Sequence, residues 1–284
     1  MACPDNNLLR LMPKVLRARD FHLYLEGGKR VTDLWRWGGR AALGHKPPKV
    51  LVELKNTAER GLFAPFPHPQ EKRFIKALSG FFPGRAFRLY MNESAMRQAL
   101  VEAGLIAAIS APFNDPAFPC QDNEQAKVSL WRPFLDETVI DNAFVPVLPC
   151  PQGPTALVLA KNIEDSFPAG ELIPPVLLAP AARALYNLAA ALKTFNPNQA
   201  GYPKIKKAIE ELHSGEKSLW RRRGIYLTTG GIDMTQYESL FRRFLDGGFL
   251  IPPSPLEPAI LPAAMSAGEE SKLAELLRGC QCFK

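Results

Sequence analysis

The chain has 284 residues, of which 46% are hydrophobic and 22% charged, values that exclude a wholly disordered protein and allow a sizeable buried core. Its 35 basic and 28 acidic residues give a net charge of +7, which is spread along the chain and predicts no nucleic-acid-binding surface. Five cysteines without a pairing pattern, and no signal-like apolar start, predict a reduced, cytoplasmic protein with no structural metal. Prolines and Arg183 interrupt the longest apolar stretch, residues 173–192, so no membrane contact is expected.

The N-terminal region has the pattern of a hairpin followed by a helix. Residues 21–25 alternate between apolar and polar side chains, residues 26–30 contain a Gly-Gly turn, and residues 31–35 form a second extended run. Prolines then precede a helical pattern over residues 48–58, in the position where proline favours helix initiation.

The rest of the chain alternates between helical and extended patterns. Apolar residues spaced by three and four predict helices over residues 70–81, 94–108, 180–192, 202–213, 234–245 and 270–277. Short apolar runs predict strands at residues 86–90, 128–135, 145–148, 156–159, 224–229 and 249–251. This alternation predicts an α/β protein, in which the proline-rich residues 112–123 cover an exposed sheet edge.

Residues 247–266 have the pattern of a helix that ends at glycine, an apolar strand, a proline-rich hairpin that leads to a second strand, and a last helix capped by Ser266. In this the segment resembles the small C-terminal domain of class III aminotransferases, which are pyridoxal-phosphate enzymes. The N-terminal third resembles the same family, with its features in the family's order: Gly27, Gly28, Asp33, Gly38-Gly39, Leu43-Gly44-His45 and Pro48-Lys49-Val50.

The resemblance implies fold type I architecture, with a reduced central mixed sheet flanked by helices and a small α+β domain built from the N- and C-terminal segments. It divides the chain into an N-terminal segment (1–60), which belongs to the small domain, a reduced large domain (61–200) and a C-terminal small domain (201–284). It also implies a homodimer that acts on small amino or keto compounds.

Pyridoxal-phosphate chemistry requires a lysine for the Schiff base, an acid beside the pyridine nitrogen, and donors for the phosphate. In the family, the lysine segment is a strand that ends in Leu-x-Lys, followed by a glycine-rich turn. By this resemblance Lys161 is the Schiff-base lysine, Asp136 is the pyridine partner, and Asn92 and Ser94 hold the phosphate.

Each of these residues also has a purely structural interpretation, as part of an exposed turn or a helix N-terminus. The turn after Lys161 contains no glycine, Glu93 places a negative charge where the phosphate would lie, and no Tyr or Trp occurs between Ser94 and Trp131. Two functions therefore remain open. One is an aminotransferase that works through Lys161 and Asp136, and the other is a non-catalytic dimeric scaffold with a binding or regulatory role.

Overall fold

The computed structural model describes residues 8–118, 127–135, 141–150, 153–195, 201–213 and 219–279. The chain divides into two compact units. The first is formed mainly by Lys46–Thr194, and the second combines the described residues of Cys3–His45 and Phe195–Lys284. The helix at Val50–Glu59 packs within the first unit.

The described residues contain the following elements. The strands are β1 (Val15–Arg19), β2 (His22–Leu25), β3 (Arg30–Asp33), β4 (Arg85–Tyr90), β5 (Ser129–Trp131), β6 (Ala143–Pro146), β7 (Thr155–Ala160), β8 (Trp220–Arg223), β9 (Tyr226–Thr229), β10 (Phe249–Leu250) and β11 (Ala259–Ile260). The α-helices are α1 (Val50–Glu59), α2 (Pro69–Ser79), α3 (Glu93–Glu102), α4 (Pro175–Thr194), α5 (Pro203–His213), α6 (Met234–Asp246) and α7 (Ala267–Arg278).

The first unit is built on a mixed sheet with the strand order β4-β7-β6-β5. Strands β4, β5 and β6 run in one direction, and β7 runs antiparallel to its neighbours β4 and β6. The parallel strands therefore end at one side of the sheet, at Tyr90, Trp131 and Pro146, where β7 begins at Thr155. We call this side the carboxyl edge, and the opposite side, where β7 ends at Ala160, the amino edge.

Helices cover both faces of this sheet. Helix α3 packs on one face through Met96, Ala99 and Leu100, together with Leu157 and Leu159 of β7. Helices α2 and α4 cover the other face, and α1 packs on α4. The structure is therefore the expected α/β arrangement with a mixed sheet, and its apolar core lies in two layers.

Helix α4 is the one helix in the described part of the chain that is long and apolar enough to span a membrane. It has 20 residues, but 56% of its apolar stretch is buried inside the protein. Because α1 and α2 pack against it, its apolar composition is that of a core helix.

The second unit contains two small sheets built from both ends of the chain. One has the order β1-β2-β3-β10, in which β10 runs parallel to β3, and the other has the order β11-β9-β8. Helix α7 begins at Ser266, whose hydroxyl accepts a hydrogen bond from the Glu269 N–H, while the Glu269 carboxylate accepts one from the Ser266 N–H. This reciprocal capping box defines the start of the helix.

Several predicted boundaries differ from the structure for identifiable reasons. Helix α3 ends at Glu102 rather than residue 108, because Gly104 adopts a left-handed φ of 67°. Strand β5 ends at Trp131 rather than residue 135, because Pro133 lacks an N–H group and Phe134 has a φ of 67°. Strands β1 and β8 were not predicted. Helix α4 begins earlier than predicted, with Pro175 in its first position.

Candidate functional site

Lys161 lies at the amino edge of the sheet in the first unit. Ala160, the last residue of β7, pairs with Arg85, the first residue of β4, and Lys161 follows in an exposed 3-10 turn, Lys161–Ile163. The strand that leads to Lys161 is β7, the one that runs against its neighbours. Lys161 therefore lies at the amino edge, whereas the parallel strands end at the carboxyl edge.

Asn92 and Ser94 lie at the carboxyl edge, in the turn from β4 to α3. The Asn92 side chain caps the helix by accepting a hydrogen bond from the Ala95 N–H at 2.9 Å. Ser94 is exposed in the first helical turn. Tyr90 ends β4 five residues after Arg85, which separates this turn from Lys161 by roughly 17 Å along the strand. The structure thus brings Asn92 and Ser94 together but does not place Lys161 beside them.

Asp136 lies outside the described residues, and the described residue that directly follows β5 is Arg132. Arg132 is buried and donates to the Asp115 carboxylate through Nε and Nη2, both at 2.6 Å. Asp115 also accepts a hydrogen bond from the Ala117 N–H. At the end of β5 the chain therefore places a buried guanidinium in a bidentate ion pair.

Cys150 lies at the carboxyl edge beyond β6, where sequence reasoning placed no functional residue. Val147 extends the pairing of β6 by donating its N–H to the Trp131 carbonyl, and Leu148-Pro149-Cys150 follows. After β6, residues 148–150 have the order Leu-x-Cys, which is the Leu-x-Lys pattern described above with cysteine in the last position.

The Cys150 thiol is buried and is not in a disulfide. It packs in the core cluster that contains Phe82, Leu148 and Ala181. A Cβ atom at Gly153 would lie 2.5 Å from the Cys150 Sγ, so the turn requires glycine because of this close packing. The thiol and the turn around it form a tightly packed part of the core.

The four strands of the sheet in the first unit contain no lysine. The sequence contains none between Lys76 and Lys127, and none between Lys127 and Lys161. These two stretches include β4, β5, β6, β7 and the turns at the carboxyl edge. The first unit therefore offers no primary amine from its strands or turns at the edge where α/β sheets usually bind ligands.

The charged groups near the start of α3 are already paired with one another. The Arg97 Nε donates to the Glu93 carboxylate at 2.8 Å, and Arg97 Nη1 donates to the carbonyls of Ile109 and Ala111. The Arg97 guanidinium also lies 3.9 Å from the centre of the Phe113 ring. This arrangement stabilises the turn after α3 and directs the Arg97 guanidinium into the protein.

Two buried hydroxyl groups at the carboxyl edge have no hydrogen-bond partner among the described residues. They belong to Tyr90 and Thr155, which are 3% and 6% exposed. The two residues are direct partners in the β4–β7 ladder. Burial raises the pKa of Tyr90 to about 12, so its hydroxyl stays protonated at neutral pH.

Among the described residues, no group of three or more His, Cys, Asp or Glu side chains is placed to hold a metal ion.

The Asp33 carboxylate of the second unit is held by hydrogen bonds within the protein. The Asp33 carboxylate accepts hydrogen bonds from the N–H groups of Trp35 and Arg36 and from His45 Nε2, each at 2.9 Å. His45 therefore supports the turn after β3.

Comparison with solved structures shows that the chain has the fold of pyridoxal-phosphate-dependent aminotransferases. Ornithine delta-aminotransferase of Plasmodium falciparum aligns with a TM-score of 0.69 at 12% identity, over 97% of this chain and 96% of that one. Ornithine aminotransferase of Toxoplasma gondii, whose structure has partial occupancy of PLP at the active site, gives 0.66 at 11% identity, over 95% and 90%. Acetylornithine aminotransferase of Elizabethkingia anophelis gives 0.61 at 12% identity, over 94% and 92%.

Comparison with known sequences finds relatives that carry no functional description. An uncharacterized protein of Treponema pallidum is 25% identical over 292 aligned positions, which cover 90% of this chain and 91% of that protein. An uncharacterized protein of Borreliella burgdorferi is 38% identical over 78 residues, 28% of this chain and 29% of the other. No protein-family model matches the chain. At 11–12% identity the structural likeness establishes the fold and leaves the activity to be argued from the residues.

Proposed function

We propose that this chain is a non-catalytic member of the aminotransferase fold that serves as a binding or regulatory protein. The proposal rests on which residue lies at each edge of the sheet in the first unit. Cys150 stands where the strand pattern calls for the Schiff-base lysine, and Lys161 lies at the opposite edge. A thiol cannot replace the amine, because Schiff-base formation needs a primary amine nitrogen.

The described residues at the carboxyl edge do not fit pyridoxal phosphate. When bound, the cofactor acts as an electron sink through a lysine Schiff base and a protonated pyridine ring. Here the lysine is missing, the Arg132 guanidinium after β5 is bound by Asp115, and the Arg97 guanidinium of α3 is bound by Glu93. The described residues at this edge therefore supply neither a primary amine for the Schiff base nor an uncommitted guanidinium for the phosphate.

The test is a titration of the purified protein with pyridoxal phosphate, followed by visible absorbance. We expect no saturable aldimine band, and we expect the Lys161→Ala variant to give the same spectra as the wild type. The control variant Lys127→Ala removes another lysine of the first unit and defines the background from exposed amines. A saturable band that the Lys161→Ala change abolishes would establish the aminotransferase alternative.

We also propose that the protein is a homodimer that associates through the first unit. Five apolar side chains within residues 51–66 are between 38% and 61% exposed: Leu51, Val52, Leu54, Phe63 and Phe66. Leu51 and Leu54 are three residues apart and share one side of α1. We call these five side chains the apolar strip. Large apolar side chains exposed close to one another mark interaction surfaces.

Analytical ultracentrifugation of strip variants tests this proposal. We expect a dimer for the wild type and a folded monomer for Leu51→Glu combined with Phe63→Glu. The control is Leu16→Glu, because Leu16 is 71% exposed but belongs to β1 in the second unit. A wild-type monomer, or a strip variant that remains dimeric, would contradict the assignment.

A further inference from the structure

The outer strand β4 of the first unit is covered on its free side by the segment that follows β7. In the described sheet β4 pairs only with β7, so the backbone groups of β4 that point away from β7 lie at an edge. The Leu89 carbonyl accepts a hydrogen bond from the Glu171 N–H, and the Met91 N–H donates to the Glu171 carboxylate, both at 2.7 Å. Glu171 therefore binds both a donor and an acceptor of this edge.

Gly170 brings the same segment into direct contact with the backbone of β4. A Cβ atom at Gly170 would lie 2.8 Å from both the N and the O atoms of Leu89, closer than real Cβ atoms approach other heavy atoms. Gly170 does not have a positive φ, so the position requires glycine because of this close approach and not because of its backbone conformation. Any side chain at residue 170 would push the segment away from β4.

The segment crosses the β4 edge from one face of the sheet to the other. Phe167 is buried in the core cluster on the α3 face, whereas Ile173 is buried in the cluster on the face covered by α2 and α4. Gly170 and Glu171 lie between these two anchors, at the edge itself. We call residues 164–173 the strap, because apolar burial holds it on both faces and hydrogen bonds hold it at the edge.

Arg88 of β4 binds the beginning of the strap. Its guanidinium donates to the Glu164 carbonyl at 2.9 Å and to the Pro168 carbonyl at 3.2 Å, and it lies 3.3 Å from the Glu164 carboxylate. Arg88 Nη1 also donates to the Phe87 carbonyl. The Arg88 side chain is 19% exposed, so these contacts are partly shielded from water. One side chain of β4 thus joins the strand to two points of the strap.

An uncovered edge strand can pair with a strand of another molecule, and proteins prevent such pairing by covering their edges. Residues 86–90 of β4 are mostly aromatic and apolar, a composition that favours strand pairing. The other outer strand, β5, is also covered: the Asn114 N–H donates to the Val128 carbonyl, and the Asn114 carbonyl accepts from the Leu130 N–H. In the described part of the first unit, both edges of the sheet are therefore covered.

We propose that the strap is a protective device that keeps the β4 edge from pairing with another copy of this chain, and that Arg88 and Gly170 hold it in place. Displacement of the strap exposes the outward backbone groups of β4 while β4 keeps its ladder with β7. The exposed strand then pairs with β4 of a second copy. This inference goes beyond the proposed function, because it holds whether or not the chain forms a Schiff base.

The experiment compares Gly170→Val with Gly230→Val. Gly170→Val places a branched side chain against the β4 backbone, whereas Gly230 is the matched control, because nothing lies within 4 Å of its Cβ position and its φ is not positive. Both changes are made in the Leu51→Glu, Phe63→Glu background, so that dimerisation through the apolar strip does not contribute. Sedimentation velocity measures self-association, and a fluorescent peptide with the sequence of residues 85–90 probes the edge.

We expect Gly170→Val to bind the peptide saturably and to self-associate, and Gly230→Val to do neither. Hydrogen exchange of the β4 amides, measured by mass spectrometry, should be about tenfold faster in Gly170→Val, the effect of losing roughly one hydrogen bond, while exchange in β7 is unchanged. Arg88→Ala should change these measurements in the same direction but less, because the Glu171 contacts remain.

The other possible results overturn the proposal. Saturable binding of the peptide to the wild type would mean that the edge is already open. A folded Gly170→Val protein that neither binds the peptide nor self-associates would mean that the strap does not protect the edge. Equal self-association of the two glycine variants would separate the effect from the strap. If Gly170→Val does not fold, a folded Arg88→Ala protein with wild-type exchange in β4 and no peptide binding would contradict the proposal in its place.

Discussion

The Glu269 carboxylate of the second unit and two hydroxyls at the carboxyl edge of the first unit differ in their number of hydrogen-bond partners. In the second unit the Glu269 carboxylate accepts hydrogen bonds from Ser266, His22, Arg30 and Thr32, at distances of 2.7–3.3 Å. At the carboxyl edge, the hydroxyls of Tyr90 and Thr155 have no hydrogen-bond partner among the described residues. The Glu269 carboxylate is thus satisfied, whereas these two hydroxyls, like Arg36 Nη2 in the second unit, are not.

This difference indicates which part of the molecule is under structural constraint. Caps, turns and buried ion pairs stabilise the aminotransferase fold whether or not a reaction takes place. A Schiff-base lysine contributes to catalysis and is not needed for packing, so a compact thiol can take its place in the core. The following variants test this contrast, beginning with the largest expected effect.

Asp115→Ala should cause the largest loss of stability. The change leaves the Arg132 guanidinium, whose side chain is 1% exposed, without its carboxylate, and we expect a loss of about 3–5 kcal/mol in the free energy of unfolding. Denaturant unfolding monitored by circular dichroism measures the effect.

The control is Glu238→Ala, which breaks the exposed ion pair with Arg242, whose side chains are 45% and 54% exposed. It should cost no more than about 0.5 kcal/mol. Similar losses for Asp115→Ala and Glu238→Ala would show that the buried pair is not structural.

Glu269→Ala should cost about 1–2 kcal/mol, because it removes both the capping box of α7 and the acceptor for His22, Arg30 and Thr32. Glu269→Gln should cost less, because glutamine can also complete a capping box. Thermal unfolding of the two variants in parallel separates the contribution of the helix cap to stability from that of the carboxylate charge.

The same carboxylate makes a pH-dependent contribution. Burial alone would raise the pKa of Glu269, but hydrogen bonds from Ser266 and His22 outweigh it and lower the pKa from 4.5 to about 2. The folded state thus favours the ionised form, so the stabilisation is complete above pH 4.5 and is lost as the pH falls towards 2. Glu269→Gln should flatten this part of the stability profile, and an unchanged profile would contradict the assignment.

Tyr90→Phe should be neutral or stabilising by up to about 1 kcal/mol, because it removes a buried hydroxyl that has no partner among the described residues. The matched control is Tyr237→Phe, whose buried hydroxyl donates to the Pro252 carbonyl at 2.8 Å. That change should cost about 1 kcal/mol. Equal losses in the two variants would mean that Tyr90 has a partner in the folded protein.

The site was harder to predict from the sequence than the fold, because a functional position depends on strand direction. The family resemblance implied that Ser266 caps the last helix, and the structure confirms this cap, which is a local interaction with Glu269. A strand that ends in Leu-x-Lys, however, gives no indication of which neighbours it pairs with. The ladder shows that Lys161 follows the antiparallel strand β7, and that Cys150 follows β6 at the carboxyl edge.

Some elements and contacts could not be predicted because their local sequence lacks the usual pattern or because they depend on the tertiary fold. Strand β8 contains Arg221, Arg222 and Arg223, which lack the apolar alternation of a half-buried strand, so its pairing with β9 was not predictable from the local pattern. Arg132 and Asp115 are 17 positions apart, and their ion pair depends on the tertiary fold. The signal that could have found Cys150 was the Leu-x-Cys pattern before the Gly153 turn, read together with the absence of any lysine between Lys127 and Lys161.

Lys161→Ala should have the smallest effect, with a change in the free energy of unfolding within about 0.5 kcal/mol, because Lys161 is exposed in a turn. Thermal unfolding measures it against Lys161→Arg, which keeps the charge. A large loss in the alanine variant alone would reveal a structural role for the amine.

Borohydride reduction of the purified wild-type protein after incubation with pyridoxal phosphate, followed by peptide mass mapping, tests whether the chain forms a Schiff base. Reduction converts a lysine Schiff base into a stable adduct, so the bonded residue can be identified. We expect no stoichiometric adduct on any lysine, with Lys161 modified no more than other exposed lysines. A stoichiometric adduct on Lys161 would show that the Schiff-base chemistry has been kept and that the protein is not a non-catalytic member of the fold.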